Sequence, residues 1–343
     1  MSLINGVTFL FLYALPQKQS KERSTEINSK TVRVKQLGPH AGAEVLGLDA
    51  TKPLSKANLT IIRDALMENG VIVFRSQDIT RKQQAEFTAN FGDLTIHPFS
   101  PHLNEMPEMI VLDNDGKNPP LSTDVWHSDE TFRLEPPMGT VLRAVIVPEV
   151  GGDTVFSSMT AAYEGLSGHM QSFISGLEAI HDFKNFKMLY GNSPEHRQRL
   201  WKMQDQFPNP VHPIVRIHPV TGKKAIFVSP QFTVAIKDMN QDESDALLNV
   251  LYRQANIPEY QFRVHWQINM MVFWDNRTVQ HYAARDYLPY RRRVERVTLQ
   301  GDRPYGANGN SYFLLDVKSG EPAINVDNYQ AAAAERKSES KAS

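Results

Sequence analysis

The chain has no cysteine among its 343 residues. That single absence excludes disulfide scaffolds, thiolate zinc sites, cysteine nucleophiles and iron–sulfur clusters. Any metal must be held by imidazole and carboxylate, for which 11 His and 38 Asp plus Glu are available. An excess of charge is missing too, since 37 basic residues against 38 acidic ones leave a formal net charge of −1. This balance gives no electrostatic footprint for nucleic acid or an anionic membrane surface, and neither partner is expected. A local anion pocket is still compatible with it. A membrane-length apolar run is also lacking. The apolar run near the start, VTFLFLYAL at 7–15, is too short to cross a bilayer as a helix. It has neither the basic flank nor the small-residue cleavage site of a secretory signal. A reducing cytoplasm suits the absence of cysteine, and a cytoplasmic location is expected. No internal period points to repeats.

The composition is globular, with 41% hydrophobic and 22% charged residues. Residues 1–30 read as an N-terminal extension ending in a polar linker, and 306–343 as a frayed tail. Between them, TVRVKQL alternates like a strand. Ser55 caps a predicted helix with Leu59, Ile62 and Leu66 on one face, closed by Gly70. VIVF at 71–74 reads as a buried strand, and Thr80 opens a second helix carrying Phe87 and Phe91. Strand-like segments follow at MIVL, TVLRAVIV, HPIVRIH, KAIFV, FRVHW, NMMVFW and RVTLQG. Helical patches lie at 158–176 and around DALLNVLYRQA, and the polar stretch 184–210 reads as a lid or partly helical insertion. Many short strands with a few helices to one side predict a mainly β, double-sheet fold of jelly-roll type rather than a parallel βαβ array.

Within TDVWHSDETF, His127 and Asp129 flank one residue, so on a strand both side chains share a face. A bare H-x-D is usually a surface pair. A third ligand candidate, His281, follows the apolar segment MMVFW. Two His and one carboxylate make the facial triad of non-haem Fe(II) oxygenases, which leaves coordination positions open. Structural zinc fits less well, because it prefers a closed four-ligand shell. Arg292 and Arg296 lie 11 and 15 residues beyond His281, evenly spaced for one strand face, where a guanidinium clamps a carboxylate or sulfonate. Trp126 and Trp274, beside the ligands, read as packing that dries the site.

These segments, with PEVGGDTVFSSMTAAYEGLS, WDNRTVQHYAARDYLPYRRRVERVTLQGDRP, LGPHAGAEVLGLDATKPLS and FGDLTIHPFSPH, resemble the taurine dioxygenase (TauD/TfdA) family over residues 31–305. The resemblance implies a double-stranded β-helix (jelly roll, cupin-like) that uses Fe(II), 2-oxoglutarate and O2. It places His127, Asp129 and His281 on the iron ligands. Thr154 and Arg292 fall on the positions that hold the distal carboxylate of 2-oxoglutarate. His97 and Arg296 match positions that grip the anionic head of the primary substrate, and Phe232 matches an aromatic wall of that pocket. The expected reaction releases succinate and CO2 and hydroxylates a carbon next to sulfur or oxygen, with C–S or C–O cleavage.

The sequence departs from the taurine enzyme at two positions of the taurine grip. Ser100 stands where a tyrosine would touch the substrate, and Thr123 where an asparagine would. Taurine itself is therefore disfavoured, while a small anionic organic substrate remains the expectation. A sulfonate or alkyl sulfate ester comes first, and an aryloxyalkanoate is the alternative. A non-catalytic metal- and anion-binding module and a metallohydrolase are the rival classes. Assembly as a homo-oligomer, dimer or tetramer, is also expected.

Overall fold

The segment VIVF is apolar at every position because both faces of its strand are covered. Ile72 and Phe74 pack under Ile62, Leu66 and Phe87, while Val71 and Val73 face a different core with Phe156 and Val264. The computed structural model in which this is seen describes residues 31–307 apart from 100, 101, 121, 122 and 188. The expected N-terminal extension, nearly all of the expected tail, and Ser100 lie outside the described residues.

In chain order the first half contains strands β1 (Arg33–Gln36) and β2 (Ala43–Leu46), helix α1 (Lys56–Asn69), strand β3 (Val71–Phe74) and helix α2 (Arg81–Ala89). Strands β4 (Leu94–Thr95), β5 (His102–Leu103), β6 (Met106–Asn114), β7 (Gly139–Ile146) and β8 (Thr154–Ser158) follow, then helices α3 (Met159–Glu164) and α4 (Gly168–Ile174). The middle holds β9 (Glu178–His181), α5 (Lys184–Lys187), α6 (Pro194–Gln206), β10 (Val211–Pro213), β11 (Val215–Ile217), β12 (Lys224–Ile226), β13 (Thr233–Ile236) and α7 (Gln241–Tyr252). The chain then runs through β14 (Gln261–Val264), β15 (Met271–Asp275), β16 (Val279–Ala283) and β17 (Arg292–Leu299).

Both predicted N-terminal helices form by the predicted signals. Ser55 accepts from the backbone N–H of Asn58, and Gly70 ends α1 in the left-handed conformation at φ 66°. Thr80 and Gln83 form a reciprocal capping box at the start of α2. The patch at 158–176 is two short helices, and 184–210 carries α5 and α6.

The main sheet runs β1-β2-β3-β15-β7-β17-β6-β5, with β4 also paired to β17. Its pairs are antiparallel except β2 with β3. A smaller sheet, β14-β8-β16, faces it across the core of Val71, Val73, Leu142, Trp274, Phe156 and Val279. On the outer face of the main sheet α1 and α2 close a second core. Helices α3 and α7 pack on β11, β12 and β13 in a third. The architecture is mainly β with flanking helices. It aims β16 and β17, from facing sheets, at the same interior space.

Candidate active site

His281 sits on β16, and its backbone exchanges two hydrogen bonds with His127, at 2.8 and 3.1 Å. The two rings are thereby brought to a centroid distance of 4.1 Å. The sequence suggested one strand face for His127 and Asp129. Instead, His127 makes a single bridge pair and Asp129 lies in the turn that follows. A different device fixes Asp129. The Asn276 carboxamide accepts from its N–H at 2.6 Å and donates to its carbonyl at 2.9 Å. One donor atom from each of His127, Asp129 and His281 lies within 4.8 Å of the others, and all three residues are buried. Their Nε2 atoms stand 4.0 and 3.9 Å from Asp129 Oδ1. His127 donates Nδ1–H to the Val125 carbonyl at 2.7 Å, which leaves the Nε2 lone pair for a ligand.

The electrostatics agree with that arrangement. Burial, with His127 next to it, pushes the His281 imidazole down to about 3, so it is neutral at physiological pH. Burial lowers His127 as well. Burial alone would raise the Asp129 carboxyl, but the Arg296 guanidinium beside it outweighs burial and holds it below the usual carboxylate range. Neutral imidazoles and an ionised carboxylate are the protonation states that metal binding requires.

Every described candidate lines one cavity of about 430 Å³: His97, Thr123, His127, Asp129, Thr154, Phe232, His281, Arg292 and Arg296. Thr154 opens β8, and its Oγ1 accepts from the Trp266 indole N–H at 3.0 Å. That leaves the hydroxyl proton to be donated. Arg292 opens β17, donates Nε–H to the Gly152 carbonyl at 3.0 Å, and lies over the Trp266 and Tyr287 rings. Among the described residues no carboxylate lies within ion-pair distance of it, Asp153 acts on it only from farther off, and burial lowers its pKa. Gly152, in the GGDT motif, has φ +74°, and a Cβ there would stand 3.1 Å from Arg292 Cδ. Glycine is thus required for this approach.

Arg296, on the same face of β17, is more committed than its expected role suggested. It donates to Asp129 Oδ1 at 3.2 Å, to Glu130 Oε1 at 3.4 Å and to Thr298 Oγ1 at 3.2 Å. His97 accepts the Phe99 N–H on Nδ1 at 3.1 Å, which puts its proton on Nε2, 3.8 Å from Glu130 Oε1. Burial and the charges of Arg296 and Arg133 hold this imidazole well below its ordinary pKa. Phe232 meets the His127 ring edge-on at 6.2 Å and joins Phe132 and Phe183 in an aromatic cluster.

Sequence reasoning missed Trp266, Asn276, Thr140 and Glu130. Thr140 donates to Asp129 Oδ2 at 3.2 Å. Glu130 is 1% exposed and lines the cavity, and burial pushes its carboxyl up to about 7 against the pull of Arg133 and Arg296. Its only sequence signal was a second carboxylate directly after the candidate ligand.

Residues 33–298 match the family described as taurine catabolism dioxygenase TauD, TfdA family. An alpha-ketoglutarate-dependent sulfonate dioxygenase of Saccharomyces cerevisiae is 33% identical, over 81% of this chain and 69% of that protein. An alkylsulfatase of Acinetobacter baylyi is 32% identical, over 82% and 89%. The crystal structure of a taurine dioxygenase from Burkholderia xenovorans superposes with a TM-score of 0.69 at 35% identity, covering 81% of this chain and 92% of that one. With a buried His–Asp–His group on the wall of the cavity, the chain belongs to the TauD/TfdA family of Fe(II)- and 2-oxoglutarate-dependent dioxygenases.

Proposed function

We propose that His127, Asp129 and His281 hold Fe(II), that Arg292 and Thr154 hold the far carboxylate of 2-oxoglutarate, and that Arg296 and His97 receive the anionic head of a small organic substrate. The observation that carries this reading is Arg292, a buried guanidinium with no carboxylate partner among the described residues, in the same cavity as the three ligands. A lone buried cation is costly unless a ligand completes it. The donor set fits the metal: two Nε2 lone pairs and one carboxylate, with open positions for a chelating cosubstrate and O2.

When bound, Fe(II) supplies the oxidising chemistry by which O2 and 2-oxoglutarate become succinate and CO2 while a substrate C–H becomes C–OH. The side chains position and protect. Arg292 supplies the charge and Thr154 the second donor for the cosubstrate's far end. The neutral His97 offers Nε2–H beside Arg296, and Phe232, Phe186 and Trp274 give the cavity an apolar lining that excludes water. A hydroxyl placed on a carbon bearing sulfur or an ester oxygen loses its proton as the carbonyl forms, and the C–S or C–O bond breaks. Sulfonates and alkyl sulfate esters are the favoured substrates, in keeping with the two named relatives. We further infer that the facing sheets form a double-stranded β-helix spanning 31–305. Residues 184–210 form its lid, a role supported by Phe186 in the cavity lining and by Leu200, Met203 and Phe207 against the cluster of Phe132, Phe183 and Phe232.

Succinate release with added Fe(II) and 2-oxoglutarate, screened over alkyl sulfonates, alkyl sulfate esters and aryloxyalkanoates, tests the substrate assignment. A sulfonate or sulfate ester should stimulate succinate and yield sulfite or sulfate. Stimulation by an aryloxyalkanoate alone would move the assignment to that class, and stimulation by none of them would refute it.

A further inference from the structure

Glu130 follows the ligand Asp129 directly, and its backbone is left-handed, with φ 52°. That conformation is unfavourable for glutamate, yet it turns two consecutive carboxylates onto one guanidinium. Glu130 Oε1 accepts from Arg296 Nη2 at 3.4 Å, while Asp129 Oδ1 accepts from Nη1 at 3.2 Å. The other Glu130 oxygen lies 2.6 Å from Arg133 Nη2. Thr298 Oγ1 takes the remaining Nη2 hydrogen and the Nε hydrogen of Arg296. One Nη1 hydrogen is left without a partner among the described residues, so Arg296 is not open to a two-pronged clamp.

We propose that Glu130 is a specificity-determining residue that sets the charge of the accepted head group, favouring a monoanion over a dianion. This rests on the reading of Arg296 and His97 as the substrate's anion site. In the loaded site Fe(II) and the 2-oxoglutarate dianion cancel. Asp129 and Glu130, which pair with Arg296 and Arg133, then stand as two negative charges against the three guanidiniums of Arg133, Arg292 and Arg296, which leaves one positive charge. The other ionised groups on the cavity wall, Asp113 and Arg285, pair with Arg291 and Asp124. A monoanion completes this balance. A dianion would leave an uncompensated negative charge beside Glu130, in a buried setting where such a charge is weakly screened. Sulfonates, sulfate monoesters and carboxylates are monoanions, whereas phosphonates are dianions at alkaline pH.

The test is anaerobic calorimetry on the full chain loaded with Fe(II) and 2-oxoglutarate, at alkaline pH. The ligands are a hexylsulfonate, a hexylphosphonate and the phosphonate's monomethyl ester, which keeps the tetrahedral phosphorus but carries one charge. Wild-type protein should bind the sulfonate and the monoester roughly tenfold or more tighter than the phosphonate. Glu130→Gln should shrink that preference by a similar factor, whereas a merely structural role for Glu130 would change its stability and leave the preference alone. Equal wild-type affinity for the phosphonate and its monoester overturns the proposal without any variant. Sulfonate binding with a preference unchanged in Glu130→Gln overturns the role of Glu130 alone. Binding of none of the three by wild-type protein overturns the anion site, and this proposal with it.

Discussion

Trp266, two residues beyond the end of β14, reaches Thr154 at the start of the neighbouring β8, and its indole N–H donates to the threonine hydroxyl at 3.0 Å. The bond fixes which way the hydroxyl proton points, since an oxygen that accepts from Trp266 is free to donate into the cavity. A neutral hydrogen bond of this kind contributes about 1 kcal/mol. Trp266→Phe should therefore raise the KM for 2-oxoglutarate about fivefold with kcat nearly unchanged. Adding Thr154→Ala should cost little more, because the two side chains act as one unit. Full additivity in that double-mutant cycle would refute the pairing.

Arg292 leads to an opposite expectation for stability and for binding. Without ligand it is a buried cation lacking a carboxylate, so Arg292→Met should unfold at the same temperature as wild type or higher. At a hundredfold excess over Kd, 2-oxoglutarate should stabilise the wild-type protein by about 2.7 kcal/mol and the variant not at all. Thermal unfolding with and without the cosubstrate measures both. A variant that is destabilised alone yet still stabilised by 2-oxoglutarate would show that Arg292 is structural.

His212 governs part of the response to acid. It donates Nε2–H to the carbonyls of Thr131 and Arg133 at 3.0 and 2.9 Å, and burial depresses its pKa from 6.5 to about 3. Below pH 6.5 the unfolded chain takes up this proton and the folded chain does not. The stability it contributes is full above that value and falls as pH drops toward 3. In metal-free protein, His212→Gln keeps an N–H donor. It should flatten the slope of stability against pH in this window by up to about 1.4 kcal/mol per unit. Equal slopes in urea titrations of the two proteins would contradict the assignment.

Much of this site was legible in the sequence, because its parts come from short runs with fixed spacing. H-x-D, the His281 segment, GGDT, and the two arginines four apart on one strand all reached the same cavity. The helix ends were legible for the same reason, since Ser55, Gly70 and Thr80 act within one turn. What escaped was built across the fold. Asn276 reaches Asp129 over a separation of 147 residues and Trp266 reaches Thr154 over 112, and no local pattern marks such partners. Glu130 escaped for a different reason. Its carboxylate was visible, but only the left-handed turn after Asp129 shows that it shares Arg296 with the ligand. The residues of α6 were expected to be only partly helical, as their hydrophobic positions are few. Leu200 and Met203 nonetheless pack with Phe207 onto the aromatic cluster around Phe232.

The central claim is that Asp129, with the two imidazoles, holds the metal on which turnover depends. The most direct measurement is anaerobic Fe(II) titration of wild type and Asp129→Ala, followed by succinate release from the same samples. The account predicts one Fe(II) per wild-type chain, affinity weakened about a hundredfold or more in the variant, and loss of succinate release in parallel. An Asp129→Ala protein that binds Fe(II) as tightly as wild type and releases succinate at the same rate would contradict it.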